Sequence, residues 1–204
     1  MTSKISLKEK QRRDREQLIL DYAEKMLLEK GYHDVSMDEI AAGVGVAKGT
    51  LYLHFPKKED LAYALVKPKM LSFLSSVEEA KAFSGGPIEK LEYLLQRELT
   101  GAFFQFLLKS SSDITTIFKS YETEIHEVLS QIFSGIHEIL NEGKREGVFD
   151  PELPVEFMSS AFINMFEPHL YKEMVVVRRM PLEVYIRHTA ILFFQGIMKS
   201  KEMK

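Results

Sequence analysis

Lys48, Thr50 and Tyr52 alternate along one short segment, and His54, Lys57 and Lys58 follow within a few residues. Ammonium, hydroxyl, phenol and imidazole groups are the donors that proteins aim at phosphate oxygens and base edges. They need a rigid platform, and residues 36–61, SMDEIAAGVGVAKGTLYLHFPKKEDL, read as one. Ser36 and Glu39 have the S-x-x-E spacing of a capping box that starts a helix. Ile40, Ala41 and Val44 give that helix an apolar face, and Gly45 allows the positive φ of a tight reversal. In the next helix Leu51 and Phe55 turn inward, which leaves Lys48, Gly49, Thr50, Tyr52 and His54 outside. This is the layout of a helix-turn-helix whose second helix enters the DNA major groove. Lys48, Thr50 and Tyr52 are then candidate base-edge readers, and Gly49 keeps the helix surface low for close approach. Lys58 stands at a helix N-terminus, where charge and dipole favour a phosphate. Lys57 is either a second phosphate contact or a solvated charge, and Ser36 either a cap alone or a cap that also donates to phosphate.

The run resembles the DNA-binding signature of TetR-family transcriptional regulators, roughly I-A-x-x-A-G-V-S-K-G-T-L-Y-x-H-F-x-x-K-E-x-L. The matching residues are Ile40, Ala41, Gly45, Val46, Lys48, Gly49, Thr50, Leu51, Tyr52, His54, Phe55, Lys58, Glu59 and Leu61. Gly31, Tyr32 and Ser36 fit the usual lead-in. Two residues depart from the pattern. Val44 stands where Ala is usual, and Ala47 replaces Ser or Thr, so the second helix lacks a side-chain N-cap worth about 1 kcal/mol. The resemblance is strong over the first sixty or so residues; beyond them only length and helical layout agree. It implies a dimer on palindromic double-stranded operator DNA, with Tyr52 and His54 at the sugar-phosphate. It further implies dimerisation through the last two long helices and repression relieved by a small hydrophobic effector in the helical body.

Net charge is −3 over 204 residues, but its distribution is uneven. Lys4, Lys8, Lys10, Arg12, Arg13 and Arg15 crowd the first fifteen residues, while Glu122, Glu124, Glu127, Glu138 and Glu142 lie in the body. A basic tip on an acidic body suits docking to DNA by one end. The absence of cysteine excludes disulfides, thiolate metal sites and a cysteine nucleophile. No apolar run reaches the ~18 residues of a membrane span, and the charged N-terminus lacks the apolar core of a signal peptide, so the expectation is a soluble, cytoplasmic chain.

Helical periodicity runs throughout, so the expected fold is all-α: a three-helix head over 1–57 and a bundle of about six helices over 58–204. Residues 1–10 read as a basic arm and 11–30 as the first helix, with Leu18, Tyr22 and Met26 on one row and Ile19, Ala23 and Leu27 on the next. Pro68 is a candidate kink in the fourth helix. A short helix around Ile117 and Phe118, a long one over about 121–146, and two more at about 154–172 and 181–200 complete the layout. The last two are apolar on more than one face, as burial in a core and against a partner subunit requires. Phe193 and Ile197 are the positions where a charge would test that contact.

Aromatic residues at helical spacing in the body are core or cavity. Phe103, Phe106, Phe118, Tyr121, Phe162 and Phe166 are the candidate effector contacts, with Glu167, His169 and Gln105 as polar partners beside a helix kinked at Pro168. Basic residues are sparse there, which favours a neutral, lipophilic or cationic effector over a strongly anionic one. His126 and His137 share a helix face but lie about 16 Å apart, too far for one ion, so no metal is expected. No cofactor is expected either, and no phosphate loop, nucleophile elbow or H-E-x-x-H motif supports an enzyme. The competing reading is a DNA-binding dimer without a small-molecule effector.

Overall fold

The computed structural model describes residues 6–110 and 119–199. Among the described residues ten α-helices follow in order: α1 Leu7–Lys30, α2 Met37–Val44, α3 Lys48–His54, α4 Lys58–Ala82, α5 Pro87–Leu99, α6 Ala102–Ser110, α7 Glu122–Arg145, α8 Val155–Asn164, α9 Pro168–Tyr171 and α10 Leu182–Ile197. Among the described residues the only β-type pairing is an isolated antiparallel bridge, Phe149 with Met198. The chain forms two compact units, Met1–Pro68 with Lys109–Glu122, and Lys69–Leu108 with Thr123–Lys204.

In the first unit, the head, Ser6 accepts from the Glu9 N–H and caps α1. Residues 7–10, read from sequence as part of a loose arm, are therefore the first turns of a helix. Ile19, Ala23, Met26 and Leu27 of α1 pack against Val35, Ile40, Leu51, Phe55 and Leu61. Of the two apolar rows of α1, Ile19, Ala23 and Leu27 are all buried, while in the other Met26 is buried and Leu18 is exposed. Gly31, at φ 88°, ends α1 by donating to the Leu27 carbonyl, a backbone setting that favours glycine. Tyr121 belongs to this unit. Its hydroxyl donates to the Asp60 carboxylate, and its ring stacks on Tyr63 with centroids 4.0 Å apart.

In the second unit, the body, α4 and α7 approach closely at Gly135, where a Cβ would lie 2.3 Å from Val77. Lys81 pairs with Glu138 at 2.9 Å, and the nearly buried Lys90 pairs with Glu142 at 2.7 Å, so α4 and α5 are both tied to α7. The helix α4 continues through Pro68 rather than ending there. The helix expected over 154–172 is instead two, because Pro168 occupies the first turn of α9 and the Glu167 side chain caps it. A π-helical turn, Lys172–Val177, follows α9, and Arg179 beyond it sits at φ 56°. The short helix read around Ile117 and Phe118 lies outside the described residues.

Candidate nucleic-acid interface and effector cavity

The head presents its second and third helices as the sequence pattern requires. Ser36 accepts from the Glu39 N–H at 3.1 Å, and the Glu39 carboxylate accepts in turn from the Ser36 N–H at 2.9 Å. Those bonds, with Lys30 nearby, hold the Glu39 carboxyl below its ordinary range. Gly45 reverses the chain in the left-handed region at φ 77°, and Ala47 caps α3 without any side-chain bond. Leu51 and Phe55 are buried, while Lys48, Gly49 and Tyr52 are exposed and Thr50 is half-buried. Nothing lies within 4 Å of where a Cβ on Gly49 would be, so the helix surface is low and open there. Lys48 Nζ lies 2.8 Å from an Asp38 carboxylate oxygen and 5.9 Å from the Tyr52 ring centre. The Asp38 bond raises the Lys48 ammonium above its ordinary value, so Lys48 stays charged.

Two expected contacts are placed differently. The His54 side chain is only 5% exposed, and its Nδ1 faces a Glu16 carboxylate oxygen at 3.3 Å, so it joins α3 to α1 rather than lying open to phosphates. The Lys58 ammonium donates to the Tyr32 carbonyl and sits 4.3 Å from the centre of that ring. Lys58 thus secures the α1–α2 connection. Lys57 is exposed at the start of α4, where its N–H donates to Asp60 at 3.0 Å.

The body holds a half-open apolar cavity of about 260 Å³. Phe73 of α4, Phe103, Phe104 and Leu107 of α6, Leu129, Ile132 and Phe133 of α7, and Ile163 with Phe166 supply most of its wall. Of the residues that sequence singled out, Phe103, Phe166 and Glu167 line it. The others do not. Phe162 is fully buried and packs edge-on against Phe166. Phe106 is buried with the Lys69 ammonium 5.8 Å from its ring centre, Tyr121 stacks in the head unit, and His169 is exposed. Gln105 is half-buried and away from the cavity wall, and Phe118 lies outside the described residues.

Sequence reasoning missed Glu98, which lines the cavity on the last turns of α5 and is 5% exposed. An i, i+3, i+4 pattern of Leu91, Leu94, Leu95 and Leu99 marks the buried face of α5, and Glu98 falls between its members. That was the available signal. Burial pushes the Glu98 carboxyl above its ordinary value, with a hydrogen bond from Ser76 opposing. Below the ordinary carboxylate range both folded and unfolded chains bind the proton, and Glu98 costs no stability. As pH rises through that range the unfolded chain ionises first, so folding loses stability until the folded carboxyl ionises too. Glu98→Gln should therefore raise the melting temperature near about pH 8 and leave it unchanged near about pH 4, by roughly 2–4 °C per kcal/mol relieved. Equal shifts at both pH values in calorimetric melts count against this placement.

Outside the cavity, α8 and α10 carry apolar surface in excess of what their own core needs. Phe157, Ile191, Leu192 and Met198 are exposed, and a groove of about 420 Å³ lies between Phe157, Ala161 and Met165 on one side and Leu192 and Gly196 on the other. Phe193 and Ile197, in contrast, are buried inside the body. Among the described residues no helix is long and apolar enough to cross a membrane.

A capped helix, a glycine reversal and an open second helix bearing Lys48, Gly49 and Tyr52 define a helix-turn-helix DNA-binding head, carried here by an all-α body. Residues 19–65 match the model of the family described as bacterial regulatory proteins, tetR family. The HTH-type transcriptional regulator SAR2658 of Staphylococcus aureus (strain MRSA252) is 30% identical over 141 residues, which are 54% of this chain and 76% of that one. The fatty acid metabolism regulator protein of Bacillus subtilis (strain 168) is 29% identical over 148 residues, covering 71% of this chain and 73% of its own. The fold superposes on the transcriptional regulator FadR from Bacillus subtilis in complex with stearoyl-CoA with a TM-score of 0.68, at 24% identity, over 89% of this chain and 98% of that one. The chain belongs to the TetR family. It is a DNA-binding transcription regulator, and these relatives are named as regulators.

Proposed function

We propose that this protein is a homodimeric repressor of the bacterial cytoplasm that a fatty acyl-CoA releases from its operator. The observation that carries the effector class is the body cavity, a slot walled by Phe73, Phe103, Phe104, Phe133, Phe166 and aliphatic residues from α6 and α7. An acyl chain is the ligand such a wall suits. The naming of a relative for fatty acid metabolism, and the stearoyl-CoA in a structure of the same fold, support that choice. Among the described residues no basic side chain lines the cavity, and Glu98 and Glu167 do, so the anionic CoA portion stays outside it. The sparseness of base in the body thus selects what enters the cavity rather than excluding a ligand with a charged head.

In this reading Lys48, Gly49, Thr50 and Tyr52 meet DNA directly, Lys57 meets the backbone, and Ser36 holds α2 in place. Lys58 and His54 act by securing the head. Lys48→Ala and Tyr52→Ala should each cost roughly 1–3 kcal/mol in operator affinity, and binding should weaken steeply with salt. The experiment has two stages. DNA fragments are first selected from the source genome by the purified protein and used in gel shifts with wild type and both variants. Stearoyl-CoA, free CoA and stearate are then compared as releasing agents. Release by stearoyl-CoA alone is the expected result. Retention of the complex with all three leaves a constitutive DNA-binding dimer as the better reading. Wild-type affinity in both variants refutes the assignment of α3.

A further inference from the structure

A second basic surface adjoins the recognition helix and is not part of the helix-turn-helix signature. A groove of about 730 Å³ in the head runs between the first three turns of α1 and the far end of α3. Ser6, Lys8, Glu9, Gln11, Arg12 and Arg15 line one side, and Thr50, Leu53 and His54 the other. Lys8, Arg12 and Arg15 are spaced four and three apart, which stacks them on one face of α1. None of the three makes an ion pair with a described residue. The acidic groups nearby are already matched: Glu9 pairs with Arg13 at 3.3 Å, and Glu16 faces His54 at 3.3 Å. The groove therefore holds three cations with no ion-pair partner among the described residues, and its one carboxylate, Glu9, is taken by Arg13. Thr50 belongs both to this groove and to the face of α3 that carries Lys48 and Tyr52, so the two surfaces are continuous. Leu53, 81% exposed at the groove's edge, is a large apolar side chain with no core to enter.

We propose that this groove is a phosphate-binding site for the strand of operator DNA flanking the bases read by α3, with Arg12 and Arg15 as its principal ligands and Lys8 as a third cation. The proposal rests on the DNA-binding reading and extends the footprint beyond the signature residues. Duplex DNA is the occupant because the groove opens from the helix that enters the major groove, and an inserted helix brings the sugar-phosphate strand along its flank. Guanidinium groups suit that role, since each presents paired N–H donors to two phosphate oxygens. Leu53 packs against the deoxyribose between those phosphates. The site positions the head and contributes affinity without reading sequence.

The test uses the full chain and a DNA fragment that the wild type selects from its genome. Binding of wild type and of Arg12→Ala/Arg15→Ala is followed by fluorescence anisotropy across a salt series. Two lost phosphate contacts should lower the slope of log affinity against log salt by about 1.8 per protomer. The loss should be equal on operator and on scrambled duplex, so the preference between them is kept. Trimming the outermost base pairs should weaken wild type and leave the double variant unaffected. An unchanged salt slope in the double variant, with its melting temperature intact, overturns the proposal while leaving the DNA-binding reading standing. So does a loss confined to the operator sequence, which would mean that the arginines read bases. Failure of the wild type to select any DNA overturns both.

Discussion

Leu192→Glu should convert the dimer to a monomer and lower operator affinity by more than about 100-fold. Leu192 is 77% exposed on α10, and Phe157 is 68% exposed across a shared groove on α8. Apolar side chains that open, side by side on two helices, mark a surface meant to be covered. A two-fold interface places the same patch on each subunit, so one substitution introduces two charges into it. Each charge would lose its water without gaining a partner, a cost of several kcal/mol. Operator affinity follows because two linked heads gain roughly 10²–10⁴ in avidity over one when geometry lets both engage. Because Leu192 is exposed within the subunit, its replacement leaves the subunit core intact. Light scattering at micromolar concentration reads the mass, and gel shifts read the affinity. A dimer mass for Leu192→Glu would falsify the assignment of this face.

That probe differs from the ones the sequence pattern singles out, and the difference shows where periodicity stops being informative. Phe193 and Ile197 are as apolar as Leu192 and lie on the same helix, but they are buried against the subunit's own core. A helix apolar on two faces does not reveal which face meets its own chain. The head was far more legible. Capping box, glycine reversal and inward Leu51 and Phe55 are local features, each fixed by a few neighbouring residues. The placements of His54 and Lys58 were not legible, because their partners, Glu16 and Tyr32, come from α1 and the α1–α2 connection. The cavity wall depends wholly on which helices meet. Three of the candidate contacts lie on it, while Phe162 turned to its own aromatic cluster and Tyr121 to Asp60. Glu98 escaped notice because it is one of three glutamates on α5, with Glu89 and Glu92, and reads as solvated like them until its burial is seen.

Leu129→Trp should produce a repressor that holds its operator with near-normal affinity and no longer releases it to acyl-CoA. Leu129 lies on α7 at the cavity wall and is half-buried, so a larger ring can swing into the empty space of about 260 Å³. Overpacking a dense core costs typically 1–3 kcal/mol, and a substitution into existing space costs less. At about 260 Å³ the cavity is at the small end of ligand clefts, ~300–1,000 Å³, so a bulky acyl chain that enlarges it would displace its walls. That displacement is what a ligand must couple to DNA release, since an effector shifts an equilibrium only by its preference for one conformation. The walls that move include Phe73 on α4 and Leu129, Ile132 and Phe133 on α7. The same α4 carries Leu61, Ala62 and Leu65 of the head core, and Tyr121, which holds Asp60, immediately precedes α7. A tenfold loss of operator affinity needs only about 1.4 kcal/mol of coupling through those helices. With the cavity filled by an indole, acyl-CoA loses its site and the coupling has no source. Calorimetric titration with stearoyl-CoA should show binding at least about tenfold weaker than in wild type, while gel shifts without ligand stay within about threefold. Undiminished release of Leu129→Trp by acyl-CoA would place the effector elsewhere in the body.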